Sequence, residues 1–124
     1  MATEGERTSP HVRRILEVLE TSYKPGHPKS RFDVDQVNRW TIRIRVIDPA
    51  VKSLSLTERD APIWDALQAL PDETFQMISL LFVLSPGELK DSPTNRMFED
   101  EREARITRRR ARSVAASKQG ETRQ

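Results

Sequence analysis

Hydrophobic and polar positions along the chain change period several times, and each period implies an element. Val12, Ile15, Leu16 and Leu19 recur at helical spacing, with Arg13, Arg14, Glu17 and Glu20 mostly on the other side. Ser9 stands where a helix cap belongs, and Pro10 fits the first helical position. This helix should end near Ser22, because Lys24-Pro25-Gly26-His27-Pro28 is a firm stop. The period then drops to two. Arg31 to Val37 reads as a strand with Phe32 and Val34 on one face and Asp33 and Asp35 on the other. Thr41 to Ile47 reads as a stronger one, with Ile42, Ile44 and Val46 opposed to Arg43 and Arg45.

A three-residue loop, Asn38-Arg39-Trp40, sets the two strands in register. Phe32 then meets Val46 and Val34 meets Ile44 on the core face; Asp33 meets Arg45 and Asp35 meets Arg43 on the outer face. A two-residue loop would put Asp33 opposite Ile44, so the pleat selects the three-residue register. Asp48-Pro49 ends the second strand. Ser55-Leu56-Thr57-Glu58 has capping-box spacing, and a helix with Ile63, Leu67 and Leu70 inward should follow and close at Pro71. Pro62 lies inside it, so this helix either kinks there or restarts after Asp60. Pro71 to Thr74 is a turn or a single helical turn. Ile78 to Leu84 is apolar on both faces and reads as a central strand. Ser85-Pro86-Gly87-Glu88 starts a short helix through Leu89, and Asp91-Ser92-Pro93 ends the core.

The resulting expectation is an α+β chain. A small α-β-β-α-β domain carries a three-stranded mixed sheet, covered on one face by helices. A short C-terminal helix and a basic tail follow. Residues 1–8 should be disordered, residues 9–91 should form the domain, and residues 92–124 should be a charged tail, partly helical or disordered. Residues 99–116 can form a helix, but Ile106 and Val114 are their only large apolar side chains; residues 117–124 look disordered.

Composition sharpens this picture. Hydrophobic residues are 35% and charged residues 32% of 124, and the apolar ones concentrate between Val12 and Leu89. No cysteine is present, so disulfides, thiolate-held clusters and cysteine nucleophiles are excluded from this chain. No apolar run approaches the roughly 18 residues of a membrane span. The first residues lack the apolar stretch of a signal peptide, and the cytoplasm is the default location. The net charge of +2 hides an asymmetry. Residues 1–100 hold 13 Lys/Arg against 16 Asp/Glu, whereas residues 101–124 hold 8 against 3. The basic character belongs to the tail.

The element order resembles the BolA-like family, whose fold is akin to the class II KH fold. Ile15-Leu16-Glu17 sits where the family has its first-helix apolar pattern. Arg43-Ile44-Arg45-Val46-Ile47 looks like its second strand. Lys52-Ser53-Leu54-Ser55-Leu56-Thr57-Glu58-Arg59 resembles its Gly-x-Ser-Leu-x-x-Arg segment. Ser85-Pro86-Gly87-Glu88-Leu89 resembles its Thr-Pro-Glu-Glu-Trp ending. The resemblance covers residues 11–89 and implies a small interaction module. The family histidines that take part in metal binding have no counterpart: Asp60 follows Arg59, residues 76–82 hold no histidine, and the first loop is Asn38-Arg39-Trp40. The glycines at 5, 26, 87 and 120 cannot form the Gly-x-x-Gly clamp of a KH domain. No cofactor or metal is therefore expected.

Two places can meet a partner. Arg105, Arg108, Arg109, Arg110 and Arg112 crowd the tail, and a helix puts Arg105, Arg108, Arg109 and Arg112 on one face. Such a stripe tracks phosphates or an acidic protein; the alternative is a solvated tail balanced by Glu99, Asp100, Glu101 and Glu103. Arg43, Arg45 and Trp40 form the second place, on the outer sheet face and at the hairpin tip. There the alternative is cross-strand pairing with Asp35 and Asp33. A protein partner at the hairpin or the last-strand edge completes the expectations. His11 and His27 lack neighbouring carboxylates at ligand spacing, and nothing forms a recognisable catalytic constellation. A non-enzymatic module binding protein or nucleic acid is expected, with a regulatory protein-binding domain free of nucleic acid as the alternative.

Overall fold

The computed structural model describes residues 9–122, and side-chain environments over residues 9–112. The expected disorder of residues 1–8 lies outside the described residues. The chain divides into two compact units, residues 1–89 and 90–124.

The first unit begins with α1, Pro10–Ser22. The Ser9 hydroxyl accepts from the Val12 amide at 3.2 Å, and Pro10 occupies the first turn. A 3-10 turn, Lys24–Gly26, leads to β1, Arg31–Asn38, and then to β2, Thr41–Ile47. The two strands are antiparallel in the expected register: Phe32 faces Val46, Asp33 faces Arg45, Val34 faces Ile44 and Asp35 faces Arg43. Closure of the hairpin differs from expectation. Asn38 pairs with Thr41, leaving only Arg39-Trp40 as loop, and Val37 is the extra residue of a bulge. A two-residue loop plus one bulged residue gives the same register as three loop residues.

After a 3-10 turn at Pro49–Val51, α2 runs through Leu56–Leu67. Its capping box is complete: Ser55 Oγ accepts from the Glu58 amide at 3.2 Å, and Glu58 Oε1 accepts from the Ser55 amide at 2.8 Å. The helix is continuous past Pro62. Glu58 and Pro62 are both exposed, so the carbonyl that loses its bond lies on the solvated side. A single turn, α3 (Asp72–Phe75), precedes β3, Ile78–Leu84.

β3 is not the central strand that its apolar run implied. The order is β1-β2-β3, with β3 pairing parallel to β2, so β2 is central and β3 is an edge. β1 and β2 pair directly as a hairpin, which leaves no central place for β3; the crossover through α2 and α3 brings it to the free edge of β2. Ser79 is bulged, which keeps Ile78 and Leu81 on the same face as Ile42 and Ile44. That face is the core. Ile42, Ile44 and Val46 pack with Val12, Ile15 and Leu19 of α1, Ile63 and Leu67 of α2, and Leu70 and Val83. Trp64 packs against Phe75, ring centroids 5.8 Å apart.

One polar residue lies in the core-facing row of α2. Arg59 has a side chain only 6% exposed. Its Nε donates to the Leu54 carbonyl at 3.0 Å, one Nη to the Val83 carbonyl at 3.2 Å, and the other to the Lys52 carbonyl at 3.2 Å. Both Nη atoms also donate to the Glu88 carboxylate, at 2.8 and 2.9 Å. Glu88 sits in the 3-10 turn Pro86–Asp91 and also accepts from the Ser85 amide at 2.8 Å. The fork thus joins the loop before α2, the end of β3 and the turn beyond it.

The second unit holds α4, Pro93–Thr122. The Ser92 hydroxyl accepts from the Asn95 amide at 3.1 Å at its start. The helix runs past residue 117, where disorder was expected; residues 99–116 before it are rich in the helix-forming Ala, Arg and Glu. Among the described residues no helix is long and apolar enough to cross a membrane.

Arg59 and Glu88 generate the first predictions. Arg59→Ala leaves a buried carbonyl set and Glu88 without their donor, and should lower unfolding stability by about 3–5 kcal/mol in a urea titration. The Arg59 bonds hold the Glu88 carboxyl down at about 2, helped by the Ser85 amide. A lowered folded-state pKa means the stabilisation is complete above the ordinary glutamate range of about 4.3 and fades as pH falls toward 2. Glu88→Gln should remove that acid limb from a plot of stability against pH.

Candidate functional site

The arginine face on α4 is the first candidate. Successive residues turn by about 100°, so Arg105, Arg108, Arg109 and Arg112 lie within one third of the circumference, with Arg110 behind them. Arg108, Arg109, Arg110 and Arg112 are exposed, and Arg105 is partly covered. Burial first, and then the charges of Arg108 and Arg109, lower the Arg105 pKa. The last cause reports like charges crowded on one face.

Balance by acidic neighbours within the helix accounts for only part of the cluster. Glu101 stands four residues before Arg105. No Asp or Glu lies three or four residues from Arg108, Arg109, Arg110 or Arg112. The acidic run 99–103 is one to three turns too early for them. The stripe is therefore a concentrated positive field presented by one helix.

The hairpin residues separate into two groups. Arg45 is 6% exposed, and its Nε and an Nη hold Asp33 Oδ2 at 2.9 and 2.8 Å. Arg43 stands opposite Asp35 in the register and is half-buried. These arginines follow the cross-strand pairing alternative. Trp40 instead projects at the tip, 71% exposed, with the Arg39 guanidinium 5.6 Å from its ring centroid.

A third cluster escaped the residue-by-residue reading. The Asp48 side chain, 2% exposed, is a hub. Its Oδ2 accepts from the Tyr23 hydroxyl at 2.7 Å and lies 2.7 Å from His27 Nδ1; its Oδ1 accepts from the Ala50 amide at 3.0 Å. The Tyr23 and His27 rings stack in parallel with centroids 3.9 Å apart. His27 and Asp48 line a cavity of about 300 Å³ with Gly26, Pro28, Lys29, Pro49 and Ala50. His27 does have a carboxylate, but from 21 residues away. The signal was the register itself: Arg31 pairs with Ile47, so one more step brings the turn before β1 to Asp48. His11, the other histidine, meets Thr74 Oγ1 through Nδ1 at 2.8 Å. Among the described residues no three His, Asp or Glu side chains gather as a metal site.

No family model matches the chain, and no curated protein does either. Among solved structures it is similar to BolA1 from Arabidopsis thaliana, at 15% identity, covering 69% of this chain and 100% of that one with a TM-score of 0.46. The class that the topology defines is a small α+β domain with a three-stranded mixed sheet.

Tyr23 is the only tyrosine, which makes the Asp48 hub directly observable. Burial, then the hydrogen bond to Asp48 and the carboxylate charge, raise the Tyr23 pKa far above the ordinary phenol value. A raised folded-state pKa means that the stabilisation is complete below about pH 10 and is lost as pH rises beyond it. Tyrosinate absorbance should therefore stay flat through about pH 10 while the fold persists, and rise only with unfolding. Tyr23→Phe should cost about 1–3 kcal/mol at neutral pH, since it leaves a buried carboxylate short of a donor.

Proposed function

We propose that this chain is a small non-enzymatic interaction module of BolA-like type that binds nucleic acid through the arginine face of α4. The observation that carries this reading is the group Arg108, Arg109 and Arg112, exposed on the face that Arg105 shares and without acidic residues at helical contact spacing. Bringing phosphates to such a face relieves mutual repulsion and releases condensed counterions. The BolA-like assignment is supported by the α-β-β-α-β order and by the Lys52–Arg59 and Ser85–Leu89 segments. The non-enzymatic reading is supported by Asp33, whose carboxylate is held by Arg45, and by His11, which meets the Thr74 hydroxyl.

A second reading, a protein-binding domain with no nucleic-acid role, is favoured by one feature. β3 ends the sheet, and an edge strand offers main-chain groups to a partner.

Electrophoretic mobility shift over a salt series separates the two. The whole chain should shift a labelled oligonucleotide, with log affinity falling linearly in log salt by about 0.7–0.9 for each phosphate met. Charge reversal at Arg108, Arg109 and Arg112 together should weaken binding at least about ten-fold at low salt and flatten that slope by about 2–3. No shift at low salt would sink the nucleic-acid reading. Stoichiometric, salt-insensitive capture of one protein would then favour the β3 edge.

A further inference from the structure

The hairpin tip adds a contact of a different kind. All seven aromatic side chains are described, and Trp40 is the only one exposed. It lies outside the core cluster, and its ring meets the Arg39 guanidinium. The turn does not need an indole, because other groups build it. Asn38 Oδ1 accepts from the Trp40 amide at 2.8 Å, Gln36 Nε2 donates to the Asn38 carbonyl at 3.1 Å, and Asn38 pairs with Thr41. This scaffold fixes the backbone of Trp40 while its ring stays in solvent. No acidic residue occurs between Gln36 and Thr41, so the tip carries only the Arg39 charge.

We infer that Trp40 is a stacking platform for an unpaired base, with Arg39 meeting the adjoining phosphate, and that the nucleic acid bound by this chain is single-stranded. This rests on the reading that the chain binds nucleic acid. An exposed aromatic face beside a guanidinium takes any base, because every base has a π-face. In a duplex those faces are already stacked on one another, so a ring at a hairpin tip reaches one only where the strand is open. Stacking at the hairpin tip adds specificity for strand state, which a stripe of arginines does not supply.

The experiment uses the full chain with labelled oligo(dT) and a duplex of equal length. Single strand should bind tighter than duplex. Trp40→Ala should weaken single-strand binding about ten-fold and leave duplex binding unchanged, while Trp40→Phe should restore most of the loss. In a Trp64→Phe background, oligo(dT) should quench the fluorescence of Trp40. Unchanged single-strand affinity in Trp40→Ala, with binding still abolished by charge reversal on α4, would overturn the stacking role and leave the α4 reading intact. Absence of binding by any oligonucleotide removes both. Quenching of Trp40 by anionic phospholipid vesicles but not by oligo(dT) would overturn the inference in favour of a membrane contact.

Discussion

The buried guanidinium of Arg59 is the constraint on which the first unit turns. A parallel β2–β3 pair demands a crossover, and a crossover leaves loop carbonyls at the strand ends with no ladder to join. Arg59 supplies the missing donors. One side chain reaches carbonyls of Lys52, Leu54 and Val83 and closes on Glu88 in bidentate fashion. A lysine could not substitute, because its point charge lacks the planar fork that serves backbone and carboxylate together.

Asp48 does comparable work at the same end of the sheet. It follows β2 directly, and its amide donates to the Leu84 carbonyl at 2.9 Å. Its carboxylate gathers Tyr23 from the end of α1, His27 from the following turn and Ala50 from the next. Two polar hubs therefore fasten the carboxyl-terminal end of β2 and β3. The opposite end of β2 carries the Arg39-Trp40 tip, held by an Asn38 side-chain turn and by no comparable hub. The buried polar contacts of Asp48 and Arg59 gather at one end, and the exposed aromatic stands at the other.

The two candidate contacts divide along physical lines. The α4 face is a dense positive field, of the kind that acts over a distance and is screened by salt. The Trp40 tip is an exposed aromatic surface, whose contacts are short-range. Arg43 and Arg45 look equally basic in the sequence, yet their strand places carboxylates opposite them, and Arg45 is buried in that pairing. Count of charge is thus a poor guide here; what distinguishes the arginines is whether an acid stands opposite in the register or at helical contact spacing.

The sequence by itself determined whatever depends on neighbours close along the chain. The Ser9 and Ser55 caps, the apolar stripes of α1 and α2, and the Asp–Arg register of the hairpin are all set within a few residues or across one tight turn, and each is where local chemistry requires it. The arginine face of α4 was legible for the same reason, since helical spacing alone places it. Only the tertiary structure decided that β3 is an edge, because Ile78-Ser79-Leu80-Leu81-Phe82-Val83-Leu84 is apolar on both faces and such a run carries no sign of its position in the sheet. Only the tertiary structure brought Tyr23 and His27 to Asp48 and turned Arg59 inward. Those contacts join residues 21 to 29 positions apart, and a hydrogen bond leaves no period in a sequence for the eye to follow.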